Sequence, residues 1–262
     1  MFIDKKEKKI SDRYIKEGYV VQDIIDIEAL HQIRRLYCQT IKKFLPKIKE
    51  KKSENILNKI HKNIPIPKLN NFRLNIINKV NSEKRFREIF YKISKPLLDA
   101  VVGNELAMQI RVGLSIQLPK DNSSLLPVHA DTWTGVSPFE TVIWLPLVDC
   151  YKTKSMFILP AKKKKIINKL FSNKKIKTSE DVYRLIKKDL VWLNVKYGQV
   201  AIFDHSLPHG NIINKENETR WTMNCRFKSV FTPYADKRLG EYYEPITLKP
   251  TSKRGISYKL PK

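Results

Sequence analysis

Apolar residues recur with two different periods along this chain. Before about residue 105 they recur at steps of three and four, which is typical of amphipathic helices. This spacing predicts helices over 24–45, 47–63 and 82–100, with Pro46 ending the first and Pro65 and Pro67 closing the second.

The period then changes to two. Between Arg111 and Leu118 apolar and polar residues alternate strictly, which indicates a strand with one apolar and one polar face. Further strands are predicted over 141–148, 155–159, 191–195, 199–204 and 220–230. Short strands with mixed connections favour a mainly β fold with helical cover, either an antiparallel barrel or a double-sheet jelly roll. The pattern puts the jelly roll, the double-stranded β-helix of cupins, slightly ahead of other sandwiches.

The length of 262 residues suits one domain. We expect a mainly helical N-terminal part over 1–104, a jelly-roll core over 105–232 and a C-terminal cover over 233–262. A helical, Lys-rich insertion is expected within the core over 162–190, because the run of four lysines from Lys162 to Lys165 belongs on the surface.

The net charge of +25 changes this picture little, because 39 of the 51 basic residues are lysine. Arginine, the residue best suited to bidentate phosphate contacts, is not enriched, so we expect no dedicated nucleic-acid function. Steering of an anionic small substrate stays open. No apolar run approaches the roughly 18 residues of a membrane helix, and the charged N-terminus lacks the apolar segment of a secretory signal.

The three cysteines, Cys38, Cys150 and Cys225, lie far apart and form no CxxC pair. This spacing argues against a cysteine zinc site and against a disulfide framework. It favours a reducing, cytoplasmic compartment.

The candidate chemistry begins at His129-Ala130-Asp131, an HxD step near a strand end. Residues i and i+2 of an extended segment point the same way, so an imidazole and a carboxylate can reach one point. His209 follows 78 residues after Asp131, and two imidazoles with one carboxylate make the facial triad of non-haem Fe(II) oxygenases. His205 shares strand parity with His209 and is the rival third ligand.

Arg220 stands 11 residues after His209, and Thr222 follows it. In a strand these two residues share a face, and a guanidinium with a hydroxyl makes a site for a carboxylate.

With these residues in place, the chain resembles the 2-oxoglutarate/Fe(II)-dependent oxygenases, whose pattern is HxD, a distal His and a following Arg. Within that superfamily it is most similar to the phytanoyl-CoA-dioxygenase-like branch, and there to oxygenases of carbohydrate biosynthesis clusters. The stretches that carry the resemblance are HADTWTGVSPFETVIWLPL, SMFILP and GQVAIFDHSLPHGNIINKENETRWTMNCRF, within 105–235.

The resemblance implies that His129, Asp131 and His209 bind iron, and that Arg220, assisted by Thr222, binds the distal carboxylate of 2-oxoglutarate. It implies a hydroxylation that uses Fe(II), 2-oxoglutarate and O2 and releases succinate and CO2. Family members that halogenate lack the carboxylate that Asp131 supplies here, so hydroxylation or a related oxidation is expected rather than halogenation.

Five further residues are candidate substrate contacts. Asn224 and Arg226 lie on the polar face of the last strand, and Arg226 either binds an anionic substrate group or pairs with a carboxylate. Three roles are open for Trp133: a platform on which a sugar ring stacks, part of a lid, or a residue that only packs in the fold. His205 lies behind the ligands or faces substrate, and Gln117 lies on a polar strand face that faces either the interior or solvent.

The resemblance to carbohydrate-cluster oxygenases implies a sugar, nucleotide-sugar or glycan-related small molecule, compatible with an anionic group. The alternatives are the same chemistry on a lipid, acyl-thioester or amino acid, and a metal-binding jelly roll without catalysis. The last needs no pair such as Arg220 and Thr222. A hydrolase is disfavoured, since neither GxSxG nor HExxH is present.

Overall fold

A computed structural model of the chain describes residues 2–167, 172 and 176–260. Its helices are α1 (Lys5–Glu17), α2 (Ile27–Phe44), α3 (Ser53–Asn58), α4 (Ile66–Asn81), α5 (Phe86–Val101), α6 (Ser179–Ile186) and α7 (Pro250–Ser257). Helices α2 and α5 match the first and third predicted helices. The second prediction corresponds to the short α3 followed by a turn of 3₁₀ helix at Ile60–Lys62.

The described strands form two antiparallel sheets. Their strands are β1 (Tyr19–Asp23), β2 (Leu106–Gln109), β3 (Gly113–Gln117), β4 (Thr141–Pro146), β5 (Phe157–Ile158), β6 (Val191–Trp192), β7 (Gln199–Phe203), β8 (His209–Gly210), β9 (Arg220–Ser229) and β10 (Tyr243–Pro245). The major sheet has the order β1-β7-β4-β9-β2-β10, with β3 also paired to β9, and the minor sheet has the order β6-β5-β8. The major sheet therefore ends in two edges and does not close into a barrel.

Strand β9 is the centre of the major sheet. One side pairs with β4, while β2 and β3 pair with its end and its beginning. Alternate side chains of β9 enter the main core, where they pack with the apolar faces of the helices; these are Trp221, Met223, Cys225 and Phe227. The intervening polar side chains point to the space between the sheets, as the alternation predicts.

A second apolar cluster joins the two sheets. Trp144 and Phe203 of the major sheet pack there with Ile158 of the minor sheet. The outer face of the minor sheet is covered by α6, since Tyr183 packs against Phe157 with ring centroids 5.4 Å apart. The fold is thus a mainly antiparallel β structure with helical cover on both sides.

The prolines near residue 65 have a role that the pattern did not predict. They stand at the start of α4, with Pro65 as its N-cap and Pro67 in its first turn. Proline is tolerated there because the amides of a first helical turn have no intrahelical acceptor. Helices α1 and α4 and strand β1 are therefore additions to the predicted helical part.

The predicted insertion over 162–190 is described only in part. It contains α6, which begins with a capping box between Thr178 and Asp181, while residues 168–171 and 173–175 lie outside the described residues. The predicted C-terminal cover supplies β10, which pairs with β2, and α7. Among the helices that the structure describes, none combines the length and apolarity needed to span a bilayer.

Candidate metal centre

His129, Asp131 and His209 come together between the two sheets. The amide of each histidine donates to the other's carbonyl oxygen, with N···O distances of 3.0 and 2.8 Å, so His129 extends the minor sheet beside β8. Asp131 opens a turn of 3₁₀ helix. One nitrogen or carboxylate oxygen from each of the three residues lies within 4.8 Å of the others. The structure therefore brings the predicted ligand set to one point.

Glycine permits the close approach on which this arrangement depends. A Cβ atom at Gly210 would lie 2.6 Å from the carbonyl oxygen of Leu126 and 3.1 Å from that of Pro127. Neither backbone oxygen can move away without displacing the segment that carries His129. The His209-Gly210 step thus combines a candidate ligand with the space that lets His129 approach it.

Backbone carbonyls fix the tautomers of both histidines. The Nδ1 atom of His129 is 2.8 Å from the Pro127 carbonyl oxygen, and that of His209 is 2.8 Å from the Leu207 carbonyl oxygen. Because a carbonyl only accepts, each Nδ1 carries the proton and each Nε2 keeps a free lone pair. Burial, aided by the neighbouring His129, lowers the pKa of His209 to about 4. His209 is therefore a neutral imidazole at pH 7, the form that a metal ligand requires.

The two oxygen atoms of the Asp131 carboxylate have different neighbours. Its Oδ1 atom lies 3.7 Å from Nε2 of His129, whereas Oδ2 lies 2.5 Å from Nη2 of Arg226 and 3.3 Å from Nδ1 of His205. Burial acts to raise the pKa of Asp131, but His205 and the Arg226 guanidinium outweigh it and hold that pKa well below its usual range. The carboxylate is ionised, with one oxygen free toward the two histidines.

Arg220 is a buried guanidinium without an acidic partner in the described chain. Its Nη1 donates to the Ser155 carbonyl oxygen and its Nη2 to the Ser115 hydroxyl, each at 3.0 Å, while Nε has no partner. Burial lowers the pKa of Arg220 to about 10, which leaves it charged at neutral pH. The hydroxyl of Thr222 is also buried and without a partner among the described residues.

Arg220 and Thr222 line the same cavity as the histidines and Asp131. The cavity measures about 120 Å³, and Trp144, Met156 and Phe203 provide its apolar walls. A buried charge without a counter-ion is costly. The cavity is therefore complementary to an anion, beside three side chains whose geometry suits a metal cation.

The five candidate substrate contacts have different positions in the structure. Asn224 and Arg226 line the cavity, as their strand parity predicts. Trp133 is 38% exposed on the turn after Asp131. His205 is fully buried behind Asp131, with Nε2 donating to the Ser137 carbonyl oxygen. Gln117 is buried too, but its Nε2 donates to the Ile212 carbonyl oxygen, so the structure gives it a structural contact instead of a place at the cavity.

Two residues near the centre carried no signal in the sequence. Glu140 is 4% exposed immediately before β4, and its side chain lies 3.9 Å from Nε of Arg226. Tyr242 accepts a hydrogen bond from Nη1 of Arg226 at 3.0 Å. Neither belongs to the HxD, His and Arg pattern, and the contacts depend on the pairing of distant segments.

A second cavity adjoins the first. It measures about 520 Å³ and lies between α4 and β3, where it shares Ser115, Leu126 and Asn224 with the smaller cavity. Its lining mixes aliphatic side chains with amides and hydroxyls, and Arg73 is its charged member.

Comparison with protein families gives no matching family model, and no curated protein matches the sequence. Solved structures do match. The nickel complex of the non-heme monooxygenase ThoJ is 13% identical, with a TM-score of 0.58 over 93% of this chain and 85% of that one. EctD from S. alaskensis with 2-oxoglutarate and 5-hydroxyectoine is 12% identical, with a TM-score of 0.57 over 88% and 78%. The non-heme alpha ketoglutarate dependent carbocyclase SnoK from nogalamycin biosynthesis is 13% identical, with a TM-score of 0.54 over 94% and 97%. At these identities the likeness is one of fold.

Proposed function

We propose that this protein is an Fe(II)- and 2-oxoglutarate-dependent oxygenase that hydroxylates a sugar, nucleotide-sugar or glycan-related substrate and releases succinate and CO2. One observation carries the proposal. A buried arginine with no acidic partner among the described residues opens into the same cavity as a His-Asp-His triad. A metal-binding module without catalysis needs only the triad and gains nothing from a buried, unpaired guanidinium.

The donor set fits Fe(II). Two neutral imidazoles and one ionised carboxylate bind Fe(II) and leave coordination positions open. His129 and His209 would present Nε2, and Asp131 would present Oδ1. When bound, Fe(II) supplies the O2 chemistry that oxidises an unactivated C–H bond.

The anion pocket fits 2-oxoglutarate. The unpartnered Nε of Arg220 and the unpartnered hydroxyl of Thr222 offer the charge and the hydrogen bonds that a distal carboxylate requires. The apolar walls keep water from this end of the cavity. The residues thus orient the co-substrate toward the metal and exclude solvent.

The structural neighbours support this class. One of them, EctD, is described with 2-oxoglutarate, and another, SnoK, as alpha ketoglutarate dependent. We accordingly interpret the two facing sheets as a double-stranded β-helix within one oxygenase domain. The buried cysteines, Cys38, Cys150 and Cys225, are free thiols, which supports a cytoplasmic location.

We assign the substrate to the larger cavity beside α4. Hydroxyls and amides from Asn70, Ser123, Ser124 and Asn224 alternate there with aliphatic walls, a mixture that suits a polyhydroxylated ring. Arg73 would favour substrates that carry an anionic group.

A succinate-release screen tests this proposal. The metal-loaded enzyme would be supplied with 2-oxoglutarate and O2 and challenged with nucleotide sugars, acyl-thioesters and amino acids. We expect stimulation by a nucleotide sugar, dependent on Arg220 and reduced in Arg73→Gln. Stimulation only by an acyl-thioester or an amino acid would keep the chemistry and overturn the substrate class.

A further inference from the structure

The centre contains a buried acid that metal and co-substrate binding leave unexplained. The side chain of Glu140 has no exposed surface, and its carboxylate oxygens meet no donor in good hydrogen-bond geometry among the described residues. The nearby Tyr243 hydroxyl feels this carboxylate, because burial and Glu140 together raise the pKa of Tyr243. Glu140 is also outside the group of residues close enough to share a metal. A buried carboxylate in such surroundings is costly unless a cation faces it.

Arg226 forms an ion pair with Glu140, while Lys228 and Lys237 lie within range of the same carboxylate charge. The Oε2 atom of Glu140 lies 3.9 Å from Nε of Arg226, beyond hydrogen-bond range but well within reach of a charge interaction. On its other side the same guanidinium donates through Nη2 to Oδ2 of Asp131 at 2.5 Å. Arg226 therefore lies between two carboxylates, one of them the metal ligand.

The sheet fixes this order. Val142 of β4 is paired with Arg226 of β9, and Glu140 precedes Val142 by two residues, on the same side of the strand. The third nitrogen of the guanidinium, Nη1, donates to the Tyr242 hydroxyl at 3.0 Å. The guanidinium is thus held from three directions.

The ammonium group of Lys228, which is also near Glu140, has other partners. The Nζ atom of Lys228 donates to the Pro233 carbonyl oxygen at 2.6 Å and lies 3.6 Å from the centre of the Tyr234 ring. Arg226 is the cation for which the structure records an ion pair with Glu140.

We propose that Glu140 is a positioning residue that acts through Arg226 to set the metal ligand Asp131. The inference rests on the proposed metal centre. With Glu140 present, the charge of Arg226 is shared between two carboxylates, and its guanidinium is held where it engages Oδ2 and leaves Oδ1 turned to the histidines. Without Glu140, Asp131 is the one carboxylate paired with Arg226 among the described residues. The positive charge of Arg226 then repels a cation at the centre more strongly.

A Co(II) titration of the metal-free, full-length protein tests this. Co(II) reports its affinity and, through its visible spectrum, its coordination. We expect Glu140→Gln to weaken Co(II) binding about 10-fold, the lower end of the range for residues that orient ligands, and to change the spectrum. Tyr234→Phe, which removes a polar atom close to the same cluster without touching Arg226, should bind Co(II) as the wild type does.

A double-mutant cycle with Arg226→Gln separates positioning from a general structural effect. In the Arg226→Gln background the further change Glu140→Gln should weaken Co(II) binding less than about twofold, because the intermediary is gone. Should Glu140→Gln fail to fold, Glu140→Asp takes its place, with a smaller loss of the same sign expected.

Two results would overturn the role of Glu140: wild-type affinity and spectrum in Glu140→Gln, or the same fold-loss in both backgrounds. Absence of Co(II) binding by the wild type would instead overturn the metal centre, and this proposal with it.

Discussion

Arg220 and Arg226 project from the same face of β9, yet their guanidinium groups have opposite environments. Arg226 lies 2.5 Å from the Asp131 carboxylate and 3.9 Å from that of Glu140. Arg220 is more deeply buried and has only a carbonyl and a hydroxyl as partners among the described residues. Arg226 is neutralised by carboxylates of the protein itself, whereas Arg220 is available to bind an anionic ligand.

Removing the charge of Arg220 should therefore separate binding from stability. We expect Arg220→Gln to weaken 2-oxoglutarate binding to the Co(II)-loaded protein about 10- to 100-fold, through loss of charge-assisted hydrogen bonds. Its Tm should stay the same or rise, because an unpaired buried charge is removed. Calorimetry and thermal unfolding measure the two quantities.

The matched variant is Arg226→Gln. It removes a paired arginine from the same strand face, so its Tm should fall while its direct effect on 2-oxoglutarate is small. Equal effects of the two variants on 2-oxoglutarate would contradict the assignment of the anion pocket to Arg220.

Replacing His129 should weaken metal binding, whereas replacing His31 should leave it unchanged. His129→Ala removes a ligand nitrogen and should weaken Co(II) binding more than about 100-fold, beyond the usual range for residues that only orient ligands. His31→Ala is the control, because His31 lies away from the centre, where its Nδ1 atom is hydrogen-bonded to the Tyr197 hydroxyl at 2.7 Å. Titration of both variants decides, and a normal affinity in His129→Ala would remove this residue from the ligand set.

A methyl group at Gly210 should damage the centre without touching a ligand. The new Cβ atom would lie 2.6 Å from the Leu126 carbonyl oxygen, so the backbone between Leu126 and His129 must shift. We expect Gly210→Ala to lower the free energy of unfolding by about 2 kcal/mol and to weaken Co(II) binding. Gly255→Ala, in α7 with open space around it, should be neutral or slightly stabilising.

Alkaline pH should destabilise the fold through its buried thiols. Burial raises the pKa of both Cys150 and Cys225 to about 12 from 9.0. Between these pH values the unfolded chain loses thiol protons that the native state keeps. The contribution of the thiols to the free energy of unfolding is therefore fully present below about pH 9 and falls as the pH rises. Each thiol contributes on the order of 4 kcal/mol to this loss.

Denaturant unfolding at several pH values measures this effect. Cys225→Ala should have a shallower decline of stability between pH 9 and 12 than the wild type. An unchanged decline would show that the Cys225 thiol ionises in the native state as readily as in the unfolded chain.

The parts of the site that lie within short stretches of sequence were predictable. The HxD step places His129 and Asp131 together by backbone geometry alone, and the alternation of β9 puts Arg220 and Thr222 on one face. Each predicted strand also contains an observed strand. In β3 and β9 a period of two reports burial on one face, whereas β4 is a short apolar run buried along its whole length.

The parts that depend on distant pairings were not predictable. Whether Arg226 meets a substrate or a carboxylate depends on Asp131 and Glu140, which reach it across the sheet. Gln117 shares its polar face with Ser115, but the Ile212 carbonyl captures it, and no local pattern reports that. Helix α4 was missed because prolines both end helices and open them.

The most direct test of the central claim is visible spectroscopy under anaerobic conditions. Metal-free protein would be titrated with Fe(II) and then with 2-oxoglutarate. The proposed function predicts a weak charge-transfer band that requires both additions, disappears in His129→Ala and needs far more 2-oxoglutarate in Arg220→Gln. Folded protein that binds Fe(II) but shows no band at saturating 2-oxoglutarate would contradict the oxygenase assignment.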